Sequence, residues 1–175
     1  VREPSAVEGW TFPKEHSNVP TPVDGSVCGC DPLIEAKKRA EPLGKLKHPR
    51  QIYAVVAPEI AHLTHEEFYV LGIGAHGNLD GKLVCYQRIA HGGQHVVHVE
   101  NEQIAQALLK DRPDLYFICH NHPSGDSRPS PQDEELTKSI RKGMAVACPK
   151  IVFGDHLVVT PTEFYSFQEE KVTKV

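Results

Sequence analysis

Directly after the apolar segment Leu115-Tyr116-Phe117-Ile118-Cys119 the chain reads His120-Asn121-His122-Pro123-Ser124-Gly125-Asp126-Ser127-Arg128-Pro129-Ser130-Pro131-Gln132-Asp133. These residue types at these spacings suit a metal centre. On a strand, residues two apart point to the same side, so His120 and His122 would present both imidazoles to one point while Cys119 and Asn121 face away. A Pro/Gly/Ser loop then turns the chain back. Ser130-Pro131 opens a helix with Ser as N-cap and Pro at the first helical position, which puts the Asp133 carboxylate in its first turn as a third ligand. Two imidazoles, one carboxylate and an open position are the donor set of hydrolytic zinc sites, so Zn2+ is the expected metal. Ser130 and Asp133 alone also fit a capping box, and a lone His-x-His is more often solvated than ligating. Only their convergence through the turn argues for a metal.

Positioning these groups requires a strand ending at the histidines and a helix starting at Pro131, where Leu136, Ile140 and Met144 repeat every four residues. Upstream, Gln51 to Leu63 is predicted as a helix that Pro58 should break or kink, and Phe68 to Gly74 as a strand. A turn over Gly77 to Gly81 leads to a hairpin partner, Lys82 to Ile89. His95 to Val99 is predicted as a short strand. Asn101 is expected to cap a helix through Lys110 that buries Ile104, Ala105, Leu108 and Leu109. Three strands, Lys150 to Phe153, Leu157 to Thr160 and Phe164 to Phe167, are expected to finish the sheet. Helices and strands thus alternate as in an α/β layered domain. Seven of the fourteen prolines lie in residues 1–49, so residues 1–47 are expected to form a loop-like extension, residues 48–170 the metal-dependent domain, and residues 171–175 a tail.

Metal-assisted hydrolysis also needs a base, and the adjacent acids Glu66 and Glu67 are the candidates. On a strand they would point to opposite faces, so only one can reach the site. The Ser130 hydroxyl is expected to donate to the oxyanion that forms when water attacks a carbonyl, while its lone pairs cap the helix. His95 and His98, three apart, cannot share an ion on one strand face. For His156, beside Asp155, either a core hydrogen bond or a contact to a ligand would be ordinary.

The spacing His-x-His, seven residues, Ser, two residues, Asp resembles the signature of the JAMM metalloproteases, also called JAB or MPN-plus, and His-Asn-His-Pro-Ser-Gly-Asp resembles their RadC-like branch. His65-Glu66-Glu67-Phe68-Tyr69-Val70-Leu71 is similar to the family's first core strand with its acid. Asp155-His156-Leu157-Val158-Val159 and Tyr165-Ser166-Phe167 resemble its closing strands. The likeness covers about residues 48–170. It implies a mixed β-sheet with flanking helices, the JAB/MPN or cytidine-deaminase-like layered fold. It implies zinc on His120, His122 and Asp133, and a Glu66 base, since the family's acid precedes the strand's Phe by two. Cleavage of a peptide or isopeptide bond follows, with a protein or peptide substrate such as the C-terminal tail of a ubiquitin-like modifier. The chain departs from the family pattern in three places. Residues 1–47 do not resemble the helix-hairpin-helix region that RadC-type proteins place before the metal domain. Gly92 to Val99 differs where the fold borders the substrate groove. Ser127-Arg128 also differs, in a loop expected not to touch the ligands.

At 175 residues and 39% hydrophobic content, the chain suits one domain with a real core plus an extension. The apolar runs are strand-sized, so no membrane span is expected, and Val1-Arg2-Glu3-Pro4 lacks a signal peptide's apolar region, so a cytoplasmic protein is expected. Five cysteines lack the pairing of a disulfide scaffold, and Cys28-x-Cys30 lacks partners for a second metal. The net charge of −4 disfavours indiscriminate nucleic-acid binding, and the short basic run around Lys37-Lys38-Arg39 reads as a solvated face. A nucleobase deaminase is excluded because Pro-Cys-x-x-Cys is absent, and a HExxH protease because the second histidine is missing. A DNA-repair-associated role of the RadC type and a non-catalytic binding module stand as the alternatives.

Overall fold

The computed structural model describes residues 31–75, 78–91 and 99–175. Helices α1 (Pro32–Ala40) and α2 (Pro49–Ile60) precede a hairpin of β1 (Glu67–Ala75) and β2 (Asn78–His91). Then follow α3 (Asn101–Asp111), β3 (Leu115–Asn121), α4 (Pro131–Ala147), β4 (Val152–Val159), β5 (Glu163–Ser166) and β6 (Lys171–Lys174). The six strands form one mixed sheet in the order β2-β1-β3-β4-β5-β6. Only β3 and β4 run parallel, with α4 as their crossover.

Alternation along the strands divides the core. Tyr69, Leu71 and Ile73 of β1 and Phe117 and Cys119 of β3 pack with Ile52, Val55, Val56 and Ile60 of α2. Phe68 and Val70 of β1 and Tyr116 and Ile118 of β3 pack with Ile104 and Leu108 of α3 and Ile140 and Met144 of α4. Helices therefore cover both faces, as the apolar character of β3 on both sides requires. His120, in phase with Tyr116 and Ile118, looks toward α4.

Several expectations give way to the observed structure. Residues 32–43 are helical rather than loop-like. Asp31 caps α1 through a 3.0 Å bond from Leu33 N–H, Ala36, Ala40 and Leu46 are buried in the core, and Leu46 N–H donates to the Gly81 carbonyl at 2.9 Å. A Pro-rich composition hid a helix because Pro32 stands at its first turn, where the missing N–H costs nothing. Residues 1–30, the remainder of the expected extension, lie outside the described residues. Pro58 does not break α2: it is exposed in the last turn, where one hydrogen bond is forgone. Part of the expected turn at Gly77 to Gly81 is already strand, since β2 begins at Asn78.

Glu100, not Asn101, is the N-cap residue of α3, and Ala107 rather than Leu109 is buried there. Leu109 is 51% exposed, one residue step around the helix from Leu108. The two strands expected at 150–153 and 157–160 are one, β4, carried through Gly154 by a bulge that opposes Tyr116-Phe117 to Phe153 and Asp155. Any Cβ at position 154 would lie 2.5 Å from the Phe117 ring, so only glycine lets the strand continue there. The expected tail at 171–175 is mostly β6, paired with β5. The strand expected at His95 to Val99 falls almost wholly outside the described residues. No helix among the described residues is long and apolar enough to cross a membrane.

Candidate metal centre

His120 stands at the end of β3, His122 just beyond it, and Asp133 in the first turn of α4. Past the strand, His122 N–H still donates to the Val159 carbonyl of β4 at 3.1 Å, which keeps its side chain beside that of His120. One ligand atom from each of the three residues lies within 4.8 Å of the others. The separations are 3.1 Å between the two Nε2 atoms, 3.2 Å from His120 Nε2 to Asp133 Oδ1 and 3.3 Å from His122 Nε2 to Asp133 Oδ2. The site is shallow: the His120 side chain is 3% exposed, those of His122 and Asp133 13% and 14%.

The surrounding hydrogen bonds decide which nitrogens carry protons, and they favour a cation at this point. His122 Nδ1 lies 2.9 Å from the Asp126 carbonyl, which can only accept, so Nδ1 is protonated and, in the neutral ring, Nε2 is a lone pair. His120 Nδ1 lies 2.8 Å from His156 Nε2, and His156 Nδ1 2.7 Å from Thr137 Oγ1. The Thr137 hydroxyl gives its hydrogen to the Asp133 carbonyl at 2.6 Å. Thr137 therefore accepts from His156, His156 Nε2 accepts from His120 Nδ1–H, and His120 Nε2 is left as a second lone pair. Two bare nitrogens and a carboxylate facing one another at this range repel unless a cation sits among them. The donors fit zinc, whose imidazole ligands commonly donate their other N–H to a neighbouring acceptor.

With no metal charge among the three groups, their electrostatics call for positive charge at the same point, supplied by protons on the rings. Burial presses His122 toward its neutral form, but its bonds to Asp133 and Asp126 and the charges of Asp133 and Glu66 outweigh it, and its pKa is raised. Burial opposes the Asp133 carboxylate too, yet hydrogen bonds from His120 and His122 hold its pKa far below the usual range. Full burial, then the neighbouring His120, pushes His156 well down, so it is neutral and able to accept. Replacing His156 with Phe, which leaves His120 Nδ1–H without its acceptor, is expected to weaken zinc binding about 10- to 100-fold in chelator competition. An unchanged affinity would remove His156 from the site.

Ser130 is placed otherwise than expected. It caps α4, accepting from Asp133 N–H at 3.2 Å, but its hydroxyl donates to Asp133 Oδ2 at 2.7 Å rather than outward. Its own N–H also donates to that oxygen, at 2.7 Å. The reciprocal box orients the carboxylate and leaves Oδ1 for His120. Arg128 grips the Asp126 carboxylate at 2.6 Å, and the Asp126 carbonyl orients His122, so the loop at Ser127-Arg128 reaches that candidate ligand through Asp126.

The two acids part company. Glu66 is half-buried, and its charge reaches His122. Glu67 is 5% exposed and turned away, bonded to Arg88 Nη1 at 2.9 Å, the Tyr69 hydroxyl at 3.1 Å and His65 Nε2 at 3.2 Å. Sequence reasoning missed Thr137 altogether, although its place four residues after Asp133 on α4 puts both on one helix face. His95 and His98 lie outside the described residues.

Comparison with known proteins agrees with this geometry. A RadC-like JAB domain matches residues 46–172. A UPF0758 protein of Flavobacterium johnsoniae is 32% identical over 139 residues, covering 78% of this chain and 58% of that protein. UPF0758 protein STH371 of Symbiobacterium thermophilum is 29% identical over 124 residues (71% and 50%), and a UPF0758 protein of Porphyromonas gingivalis 28% over 122 (69% and 51%). The chain thus spans little more than half the length of these curated relatives. With its mixed sheet, its helices on both faces and its His-His-Asp cluster at the end of β3, the chain belongs to the RadC-like JAB domain family.

Proposed function

We propose that the protein is a zinc-dependent hydrolase of peptide or isopeptide bonds. The observation that carries this reading is the convergence of two imidazole Nε2 atoms and the Asp133 carboxylate within 3.3 Å, with Glu66 near enough to bias His122. His120, His122 and Asp133 would hold the metal. When bound there, zinc supplies the Lewis acidity that activates water and polarises a carbonyl.

The chain's own groups do the rest. Glu66 takes the proton from the attacking water and returns it to the leaving amine, because a carboxylate at the rim of the site can face both in turn. Ser130, once a substrate draws its hydroxyl away from Asp133, donates to the developing oxyanion; such a donor is worth about 3 kcal/mol elsewhere. His156 and Thr137 fix the tautomer of His120, and the Asp126 carbonyl that of His122. A shallow site favours an extended chain lying across it over a small molecule enclosed within it, which suits the C-terminal tail of a ubiquitin-like modifier as substrate. The overall charge of −4 weighs against nucleic acid. The test is to incubate the zinc-loaded chain with a panel of fluorogenic peptide amides, a ubiquitin-like modifier carrying a fluorogenic amide at its C-terminus, and single-stranded DNA. Zinc-dependent release from an amide is expected. Metal-dependent loss of the DNA with every amide intact would replace this reading with a nuclease.

A further inference from the structure

The residue between the two histidines has no part in the chemistry described so far. Asn121 is completely buried, and alternation along β3 turns its side chain away from that of His120. The β1–β3 ladder ends at the pair Phe68 and His120. Beyond it the Asn121 backbone turns to β4, opposite Val159, while its side chain continues toward β1 where the backbone ladder stops. Oδ1 accepts from Glu67 N–H at 2.8 Å, and Nδ2 donates to the His65 carbonyl at 2.8 Å. These two groups belong to the two peptide planes flanking the Cα of Glu66. One amide therefore fixes both planes. The Glu67 carboxylate, held by Arg88 and Tyr69, anchors the same segment from the opposite side.

From this geometry we infer that Asn121 is a positioning residue for Glu66: it locks the backbone on either side of the base, and so aims the carboxylate at the metal centre. The inference rests on the proposed hydrolase reading for its kinetic consequence, though not for its structural one. A half-buried side chain just ahead of a strand has several rotamers and a backbone free to twist. A displacement of about 1 Å between a base and the water it must deprotonate can cost about a hundredfold in rate. Because Asn121 lies between His120 and His122, the strand end that places the two ligands also places the base.

The full chain, loaded with zinc, serves for the test. Wild type, Asn121→Ala, Glu66→Gln and the double variant are compared for zinc content, for turnover of the best-cleaved amide of the panel above, and for hydrogen exchange at the Glu67 amide. Asn121→Ala is expected to retain zinc, to exchange Glu67 N–H about tenfold faster or more with Ile118 N–H unchanged, and to lose kcat about 10- to 100-fold with KM within about threefold. In the Glu66→Gln background the same substitution should cost nothing further, because its effect passes through Glu66. Unchanged exchange at Glu67, loss of zinc, or an equal loss of kcat in both backgrounds would overturn the inference. Should Asn121→Ala fail to fold, Asn121→Asp keeps the acceptor for Glu67 N–H and loses the donor to His65. A lowered kcat supports the clamp, and a wild-type kcat overturns it. Exchange needs no turnover, so a wild type that binds zinc and cleaves no amide would sink the hydrolase reading while the clamp is still decided at Glu67.

Discussion

Replacing Glu66 with Gln is expected to leave zinc content and fold intact while lowering kcat by about two to four orders of magnitude. The amide keeps the size of the side chain and its capacity to hydrogen-bond, but it cannot take a proton from water. The sharper result is the contrast with Glu67→Gln. Glu67 is 5% exposed and occupied by Arg88, Tyr69 and His65 on the face away from the metal, so its loss should lower the thermal midpoint and leave kcat of the folded protein within a few fold. The two acids are neighbours of equal charge, and a general electrostatic effect would strike both alike. Turnover that survives in Glu66→Gln and collapses in Glu67→Gln would make Glu67 the base.

His120→Ala and Asp133→Ala are each expected to abolish stoichiometric zinc binding, because two protein ligands leave the ion largely to solvent. Zinc stabilises the folded chain in proportion to the logarithm of its concentration over Kd, so the rise in Tm on adding zinc to wild type should vanish in both variants. Asp133→Ala also removes the carboxylate half of the capping box of α4, which accepts from Ser130 N–H, a further loss of about 1 kcal/mol with or without metal, while Ser130 still caps the backbone N–H of residue 133. His120→Ala leaves the cap untouched, and so isolates the metal contribution. Elemental analysis after dialysis decides the matter: full zinc in both variants would place the metal elsewhere.

The parts of the site that could be read from sequence are those fixed by local rules. Ser130 before Pro131 marks a helix start wherever it occurs, and the apolar run into His120 marks a strand, so the elements carrying the three candidate ligands follow from short windows. What was missed depends on partners far along the chain. The bond from His156 to Thr137 spans 19 residues, that from His120 to His156 spans 36, and those of Asn121 span 54 and 56. No period or propensity reports such contacts; they exist only once β1, β3, β4 and α4 are side by side. The fold errors share this origin. Gly154 looks like a break until Phe117 is seen to need the space above it, and the Pro-rich lead-in conceals α1 until Ala36 and Ala40 are found packed in the core. The preference for Glu66 over Glu67 came from family likeness and not from the residues, whose adjacency left both open.

The central claim is that His120, His122 and Asp133 hold a catalytic zinc, and zinc K-edge X-ray absorption of the zinc-loaded chain at neutral pH tests it most directly. Four light ligands are expected, with two imidazole nitrogens at about 2.0–2.1 Å and oxygens at about 2.0–2.2 Å, and in His120→Ala, which holds no stoichiometric zinc, this two-imidazole spectrum should give way to that of hydrated zinc. A sulfur shell at about 2.3 Å, or a spectrum of hydrated zinc that His120→Ala leaves unchanged, would contradict it.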